Sequence, residues 1–537
     1  MGRAQPVRAV EAEGFLGTKT AQAESMPRWN LSDLYPAGGT ELGEALARAA
    51  SEAEKFKNDF ASKLGTLAHE DPGMLAKAIA SYEKLSDGMG RIGSFAYLNY
   101  VTDTGDPVRA KLFGDARDKL TEIGSLLIFF ELELNRIDDS VLATALKDEA
   151  LNHYRPWLTD LRRERPYQLS DEIEKLFHEK GMTGSGAWSR LFNETLTALR
   201  FEVDGEILTL EPTLNLLSDA NAEKRATAAE ALAKVFKENV RLFALILNTL
   251  AKDKEISDRW RGFPDVASSR HLANRVEPEI VDALVKAVRD SYPRLSHRYY
   301  ALKAKWLGMG QLNYWDRNAP ISRDPEPVIE WDNAHSTVIG AYRRFSPKMA
   351  EIAEDFFARN WIDAPVREGK SPGAFSHPTV PSAHPYIMMN YLGKPRDVMT
   401  LAHELGHGVH QVLANAQGAL MAYTPLTLAE TASVFGEMLT FKALLEQTQN
   451  LKEKKALLAQ KVEDKINTVV RQIAFYQFER LVHEARREGE LTPENFCEFW
   501  LRVQAESLGP AIRLNSGYEN YWTYISHFVH SPFYVYA

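Results

Sequence analysis

Residues 401–410 read Leu401-Ala402-His403-Glu404-Leu405-Gly406-His407-Gly408-Val409-His410. On a helix, positions four apart lie one above the other on the same face, so His403 and His407 present their imidazoles to one point. Such a pair can hold one metal ion. Glu404, beside the first histidine, can then act on a water in the remaining coordination position. The flanks favour a helix. Asp397 suits a cap or first-turn acid, and Val398, Leu401, Ala402, Leu405, Val409, Val412 and Leu413 form an apolar stripe at helical spacing. Gly406 and Gly408 cost helix propensity, and their presence predicts that another segment comes close to the metal.

A catalytic zinc site needs three protein ligands and one open position. The continuation HExxHxxGxxH fails here, because His410 occupies the glycine position and Leu413 the last histidine position. The nearest downstream acid is Glu430. Thr427 reads as the N-cap of a second helix carrying Leu428, Thr431, Val434, Phe435 and Met438. Glu430 and Glu437 are seven apart and share a face of that helix. One of them can bind metal while the other orients a histidine from behind. With this partner helix in place, a reading of His403 and His407 as ordinary core or surface residues loses ground.

The 537 residues suffice for a large core and two to four lobes. The net charge of −9 argues against nucleic acid or an acidic membrane surface as the main partner. Cys497 is the single cysteine, so no disulfide forms within the chain and a reducing, cytoplasmic setting is expected. No run is long and apolar enough for a membrane span. Residues 1–25 lack the apolar core of a secretory signal and read as a loose extension.

Helical spacing dominates from Leu42 to about Arg190. Phe201 to Leu210 breaks it with two short strands around Asp204-Gly205, a hairpin turn signal. This predicts a helical N-terminal lobe over 26–200 and a second domain over 201–537. Ser218 and Asp219 are candidate caps for the helices that follow. Between Gln311 and Asn390, repeated prolines predict loops and a few strands. Tyr386 to Asn390 reads as a short strand just before the metal helix, and Gly373-Ala374-Phe375-Ser376 as a glycine loop beside it. The last stretch, Gly517 to Ala537, holds His527, His530, Tyr518, Tyr521, Tyr524, Tyr534 and Tyr536. That density of hydroxyl and imidazole donors suits a site that stabilises an oxyanion, with an aromatic core segment as the competing reading.

These motifs resemble the thimet oligopeptidase family of zinc peptidases (family M3), and within it the oligoendopeptidase F branch. The run around His403 to His410, the Ala429 to Glu437 stretch, His384 to Thr400, and Trp29 to Pro36 carry the resemblance, which extends from about Trp29 to the end. It implies a mainly α, two-lobed fold enclosing a deep channel, with a small β-sheet near the metal helix. It implies one Zn²⁺ on His403, His407 and Glu430, Glu404 as general base, and Glu437 behind a ligand histidine. It places a histidine, and a tyrosine about nine residues later, opposite the zinc; His527 and Tyr536 have that spacing, with Tyr534 as the substitute if the register differs. The family's small sheet holds substrate by strand addition, which points to Tyr386 and Met388, with Gly373, Ala374, His384 and His377 nearby. The family pattern normally runs on past this point, so the stop at Ala537 leads us to expect that a further oxyanion donor is missing.

The expected activity is zinc-dependent cleavage of internal bonds in short unstructured peptides. A carboxypeptidase or dipeptidyl carboxypeptidase of related fold, and a non-catalytic peptide binder on the same scaffold, remain as alternatives. The intact Glu404 speaks against the binder.

Overall fold

The computed structural model describes residues 26–36, 39–321 and 328–536. The extension expected over residues 1–25 lies outside the described residues. The fold is mainly helical, with only small sheets.

Helices α1 (Gly39–Phe60), α2 (Pro72–Val101) and α3 (Pro107–Arg136) open the described chain. The last two start in the same way. An aspartate, Asp71 or Asp106, accepts from first-turn N–H groups, and a proline at the first helical position needs no partner for its nitrogen. The expected hairpin is present as β1 (Phe201–Val203) and β2 (Glu206–Leu208). Asp204 and Gly205 both have positive φ, 52° and 84°, as a two-residue turn with the right twist requires. Helix α4 (Ala222–Arg261) is capped by Asn221 rather than by Ser218 or Asp219; Asp219 instead accepts from the Asn221 N–H.

The described residues build two large hydrophobic cores and a small cluster of Tyr100, Val101 and Met388, and the chain visits each large core twice. The first joins Leu34, Phe56, Ile79, Phe130 and Leu158 to Tyr342, Phe356, Tyr386, Leu401 and Leu405. The second joins Phe201, Phe236, Phe243 and Tyr300 to Phe478, Trp500, Trp522 and Phe533. Helices α5 (Trp331–Phe345) and α6 (Pro347–Ala358) bring the chain back to the first core.

Three strands follow: β3 (Ile362–Pro365), β4 (Phe375–His377) and β5 (Tyr386–Tyr391). Strand β5 lies in the middle, parallel to β3 and antiparallel to β4. Expected as the strand that receives substrate, β5 therefore has both edges paired, and its Tyr386 and Met388 side chains are fully buried. The outer strand on that side is β4. Its Ser376 is tied to the next helix, since the Ser376 carbonyl accepts from Gln411 Nε2 at 3.1 Å and its hydroxyl donates to Gln411 Oε1 at 2.7 Å.

That helix, α7 (Pro395–Ala414), carries the HExxH run. Asp397 serves its first turn as anticipated, accepting from the N–H groups of Leu392 and Lys394 at 2.9 and 3.0 Å. Helix α8 (Leu426–Gln447) crosses it in direct backbone contact. A Cβ on Gly406 would fall 2.6 Å from the Ala432 carbonyl oxygen, and one on Gly436 would fall 2.7 Å from the Ala402 carbonyl oxygen. The close segment anticipated from the glycines is thus α8 itself, while Gly408 makes room for the Phe356 ring. Thr427 is not the cap of α8. The helix begins one residue earlier, and the Thr427 hydroxyl donates to the Asn274 carbonyl. Helices α9 (Leu451–Ile466), α10 (Gln472–Glu488) and α11 (Pro493–Leu508) complete the chain before its aromatic end. Thr492 caps α11, with Pro493 at its first position.

Candidate metal centre

His403 and His407 share the face of α7 that meets α8, with ring centroids 4.9 Å apart. Glu430, one turn into α8, extends between them. Its Oε2 lies 3.4 Å from His403 Nε2 and 3.6 Å from His407 Nε2. One ligand atom from each of the three residues lies within 4.8 Å of the others. A tetrahedral ion with bonds of about 2.0–2.1 Å holds its ligand atoms about 3.3 Å apart, so the cluster is sized for such an ion. Two imidazoles and one carboxylate, with a side left open, are also a fitting donor set for zinc.

The surroundings prepare each ligand. His403 Nδ1 is bonded to Glu437 Oε1 at 2.7 Å, which leaves Nε2 as the free, metal-facing nitrogen. Glu437 also accepts from Lys461 Nζ of α9 at 2.8 Å. Burial works to raise its pKa, but the hydrogen bonds from His403 and Lys461 prevail and hold it down at about 2. Burial likewise opposes a charge on His403, yet the neighbouring carboxylates turn the balance and raise its pKa. His407 lacks such a partner, and burial lowers it to about 4. Glu430 is held from two sides: Ser433 Oγ donates to Oε2 at 2.8 Å and Tyr534 donates to Oε1 at 3.0 Å.

Glu404 is buried beside the ligands, 6% exposed. Its burial, assisted by Glu430 and Glu437 and opposed by His403 and the Ser376 N–H, raises its pKa to about 7. A carboxylate tuned to neutrality can take a proton and give it back.

Of the C-terminal residues, the structure brings His527 and Tyr534 to this cluster. Their rings lie 4.7 Å apart, and the buried His527 Nδ1 has no partner. Burial, with the Arg471 charge adding to it, lowers His527 to about 4, so its ring is neutral. Tyr536 is directed elsewhere: its hydroxyl meets His271 Nδ1 at 2.9 Å in the second core. The turn through Phe533, with φ of 60°, aims Tyr534 rather than Tyr536 at Glu430. The tyrosine at the metal cluster is thus the substitute, two residues earlier than the nine-residue spacing implied.

The residues expected to contact substrate are engaged within the protein. Gly373 N–H donates to Glu211 at 2.9 Å and the Gly373 carbonyl accepts from Asn390. Ala374 packs against the first core. His384 stacks on Trp361 with centroids 3.7 Å apart and bonds to Asp33 at 2.9 Å. His377 meets the Ser94 hydroxyl at 3.0 Å, and the Tyr386 hydroxyl donates to the Asn30 carbonyl. Sequence reasoning missed Lys461, Gln411 and Ser433. Lys461 sits in one of many Lys-Glu-rich helical stretches, and nothing in its spacing distinguishes it from a solvated lysine.

The model of peptidase family M3 matches residues 215–537, and that of oligopeptidase F matches residues 133–201. The two meet around the β1–β2 hairpin. Oligopeptidase PepF of Bacillus subtilis (strain 168) is 26% identical over 525 residues, covering 96% of this chain and 77% of the relative. An oligoendopeptidase F homolog of Borreliella burgdorferi is 22% identical over 514 residues, 95% of this chain and 85% of its own length. Among solved structures, oligoendopeptidase-F from Enterococcus faecium superposes with a TM-score of 0.68 at 22% identity, covering 92% of this chain and 85% of its own. PZ peptidase A with an inhibitor gives 0.75 at 15% identity, covering 92% and 84%. With two helices delivering HExxH and a glutamate to one point, and a family match over three-fifths of its length, the chain belongs to peptidase family M3, in its oligopeptidase F branch.

Proposed function

We propose that this M3 metallo-endopeptidase hydrolyses internal bonds of short, unfolded oligopeptides with one Zn²⁺ held by His403, His407 and Glu430. The observation that carries the reading is the convergence of His403 Nε2, His407 Nε2 and Glu430 Oε2, with the buried Glu404 beside them. When bound, the ion supplies a Lewis acid that polarises the scissile carbonyl and acidifies a water. Glu404 takes the proton of the attacking water and passes it to the leaving amine. Tyr534 turns its O–H from Glu430 to the developing oxyanion, and the neutral His527 donates from its ring N–H. Glu437 fixes the His403 ring and its tautomer. The partial burial of His403, His407 and Glu430 supports a preference for short peptides, since an extended chain reaches such groups more readily than a folded surface. The names of the B. subtilis and B. burgdorferi relatives support the same substrate class. The single cysteine supports a reducing, cytoplasmic setting.

The test is cleavage of an internally quenched peptide blocked at both ends, with and without a chelator and with zinc restored. Chelator-sensitive cleavage that returns with zinc is the expected result, and it excludes an exopeptidase because neither end is free. Unchanged turnover in Glu404→Gln would sink the assigned mechanism.

A further inference from the structure

The second core gathers cationic side chains near Tyr300 and Tyr518. Lys303 is paired with Glu463 at 2.6 Å, and Arg225 with Asp316 at 2.7 Å. Each of these two acids is taken up by its own partner. Arg317 and Arg471 are left over: among the described residues, no carboxylate lies within ion-pair distance of either. The Arg317 guanidinium donates to the Tyr518 hydroxyl, at 3.5 Å, and that of Arg471 donates to the Tyr524 hydroxyl, at 3.2 Å, and lies over the Phe475 ring, 4.8 Å from its centroid.

The same neighbourhood collects donors without acceptors. Arg317 Nε, Arg471 Nε, the Tyr300 hydroxyl and Gln504 Nε2 are all buried with no hydrogen-bond partner. Tyr300 and Gln504 are almost wholly enclosed, 0% and 1% exposed. Tyr518 joins these groups. It accepts from Arg317 and donates to Gln504 Oε1 at 2.9 Å, and it lies within the fields of Arg317, Arg471 and Tyr524. Buried donors are normally satisfied, and buried charges are normally paired. Two unpaired guanidinium groups and two orphaned neutral donors around one tyrosine describe a receptor for a negative ion.

We propose that Arg317 and Arg471, with Tyr300 and Gln504, hold one small monovalent anion, either a halide or the terminal carboxylate of a bound peptide. Both are small acceptors suited to N–H and O–H donors. A peptide carboxylate would enter from Arg471, which is half-buried and bonds to Tyr524, three residues before His527 of the metal centre. The peptide source rests on the proposed peptidase reading; halide binding does not.

The test uses the full chain in two arms. In the first, the melting temperature is followed as chloride or formate replaces isethionate, an anion too large for the site, at constant ionic strength. A ligand of the folded state raises the melting temperature with its concentration. The expected result is a rise with chloride and formate that Arg471→Gln abolishes and Arg471→Lys partly keeps, with circular dichroism confirming that both variants fold. In the second arm, KM is compared for one peptide as free acid and as amide. If the peptide end is the occupant, the free acid has the lower KM by about tenfold, and Arg471→Gln erases the difference. A flat melting temperature together with equal KM values overturns the proposal. If no peptide is cleaved at all, the peptidase reading has failed, and the melting arm alone decides: a flat response still overturns the anion site.

Discussion

The Glu437 carboxylate accepts from His403 Nδ1 at 2.7 Å while Lys461 Nζ holds its other oxygen at 2.8 Å. This bridge ties α7, α8 and α9 together directly behind the metal-facing nitrogen. In Glu437→Gln, Lys461 loses its counter-charge and the His403 ring loses its anionic acceptor. Zinc affinity should fall by about 10- to 100-fold, read by competition with a chromophoric chelator. Unchanged affinity would mean that the histidine pair orients itself.

The two C-terminal tyrosines should separate cleanly. Tyr534 reaches Glu430, so Tyr534→Phe should lower kcat by about 10²-fold or more, with little change in KM and full zinc content. Tyr536 bonds to His271 within the second core, so Tyr536→Phe should leave kcat near wild type and lower the melting temperature slightly. The opposite ranking would restore Tyr536 to the site.

Gly406 is the tightest point between α7 and α8. An alanine methyl there would meet the Ala432 carbonyl oxygen at 2.6 Å and Ser433 Cα at 2.8 Å, and backbone cannot swing aside as a side chain can. Gly406→Ala should cost about 1–3 kcal/mol or more and draw Glu430 away from the histidines. Thermal melting and zinc content would fall together; a stable, fully zinc-loaded variant would contradict the packing argument.

Glu479 carries a pH dependence that can be isolated. It is buried on α10 and accepts from the Phe533 N–H at 2.7 Å, and its Oε2 has no partner. Burial raises its pKa from 4.5 to about 8. Between those values the folded chain holds a proton that the unfolded chain has lost. The contribution to stability is therefore complete below pH of about 4.5 and is lost as pH rises to about 8, by at most about 1.4 kcal/mol per pH unit. Denaturant titrations across this window should show a shallower decline for Glu479→Gln than for wild type. Parallel curves would show that the carboxyl is ionised in the fold.

The pairs His403/His407 and Glu430/Glu437 were legible because helical periodicity is local: residues four and seven apart must share a face, while the choice of Glu430 over Glu437 as the group facing both histidines came from the family resemblance. The first-turn acid Asp397, the Asp204-Gly205 turn and the Pro493 start are local in the same sense, while α4 takes Asn221 as its cap and α8 starts after Pro425 with no side-chain cap, its Thr427 hydroxyl being spent on the distant Asn274 carbonyl. Strand order was not local. Tyr386 to Asn390 carries the composition of a strand, but its central place depends on partners at residues 362–365 and 375–377. Tyr534 and Tyr536 differ in destination only through the left-handed backbone of Phe533 and the grip of Glu479 on its N–H, a contact across more than fifty residues. Lys461 and the unpaired Arg317 and Arg471 became recognisable only once distant helices were placed side by side.

The two cores divide the labour of the centre. His403, Glu404 and His407 stand on a helix rooted in the first, whereas His527 and Tyr534 come from a segment anchored in the second. A small separation along that seam would withdraw the tyrosine hydroxyl from reach while every metal ligand stayed in place. The placement of the histidine pair and the reach of the tyrosine are therefore set by different cores, so a packing change in the second core can reach Tyr534 while His403 and His407 keep their positions.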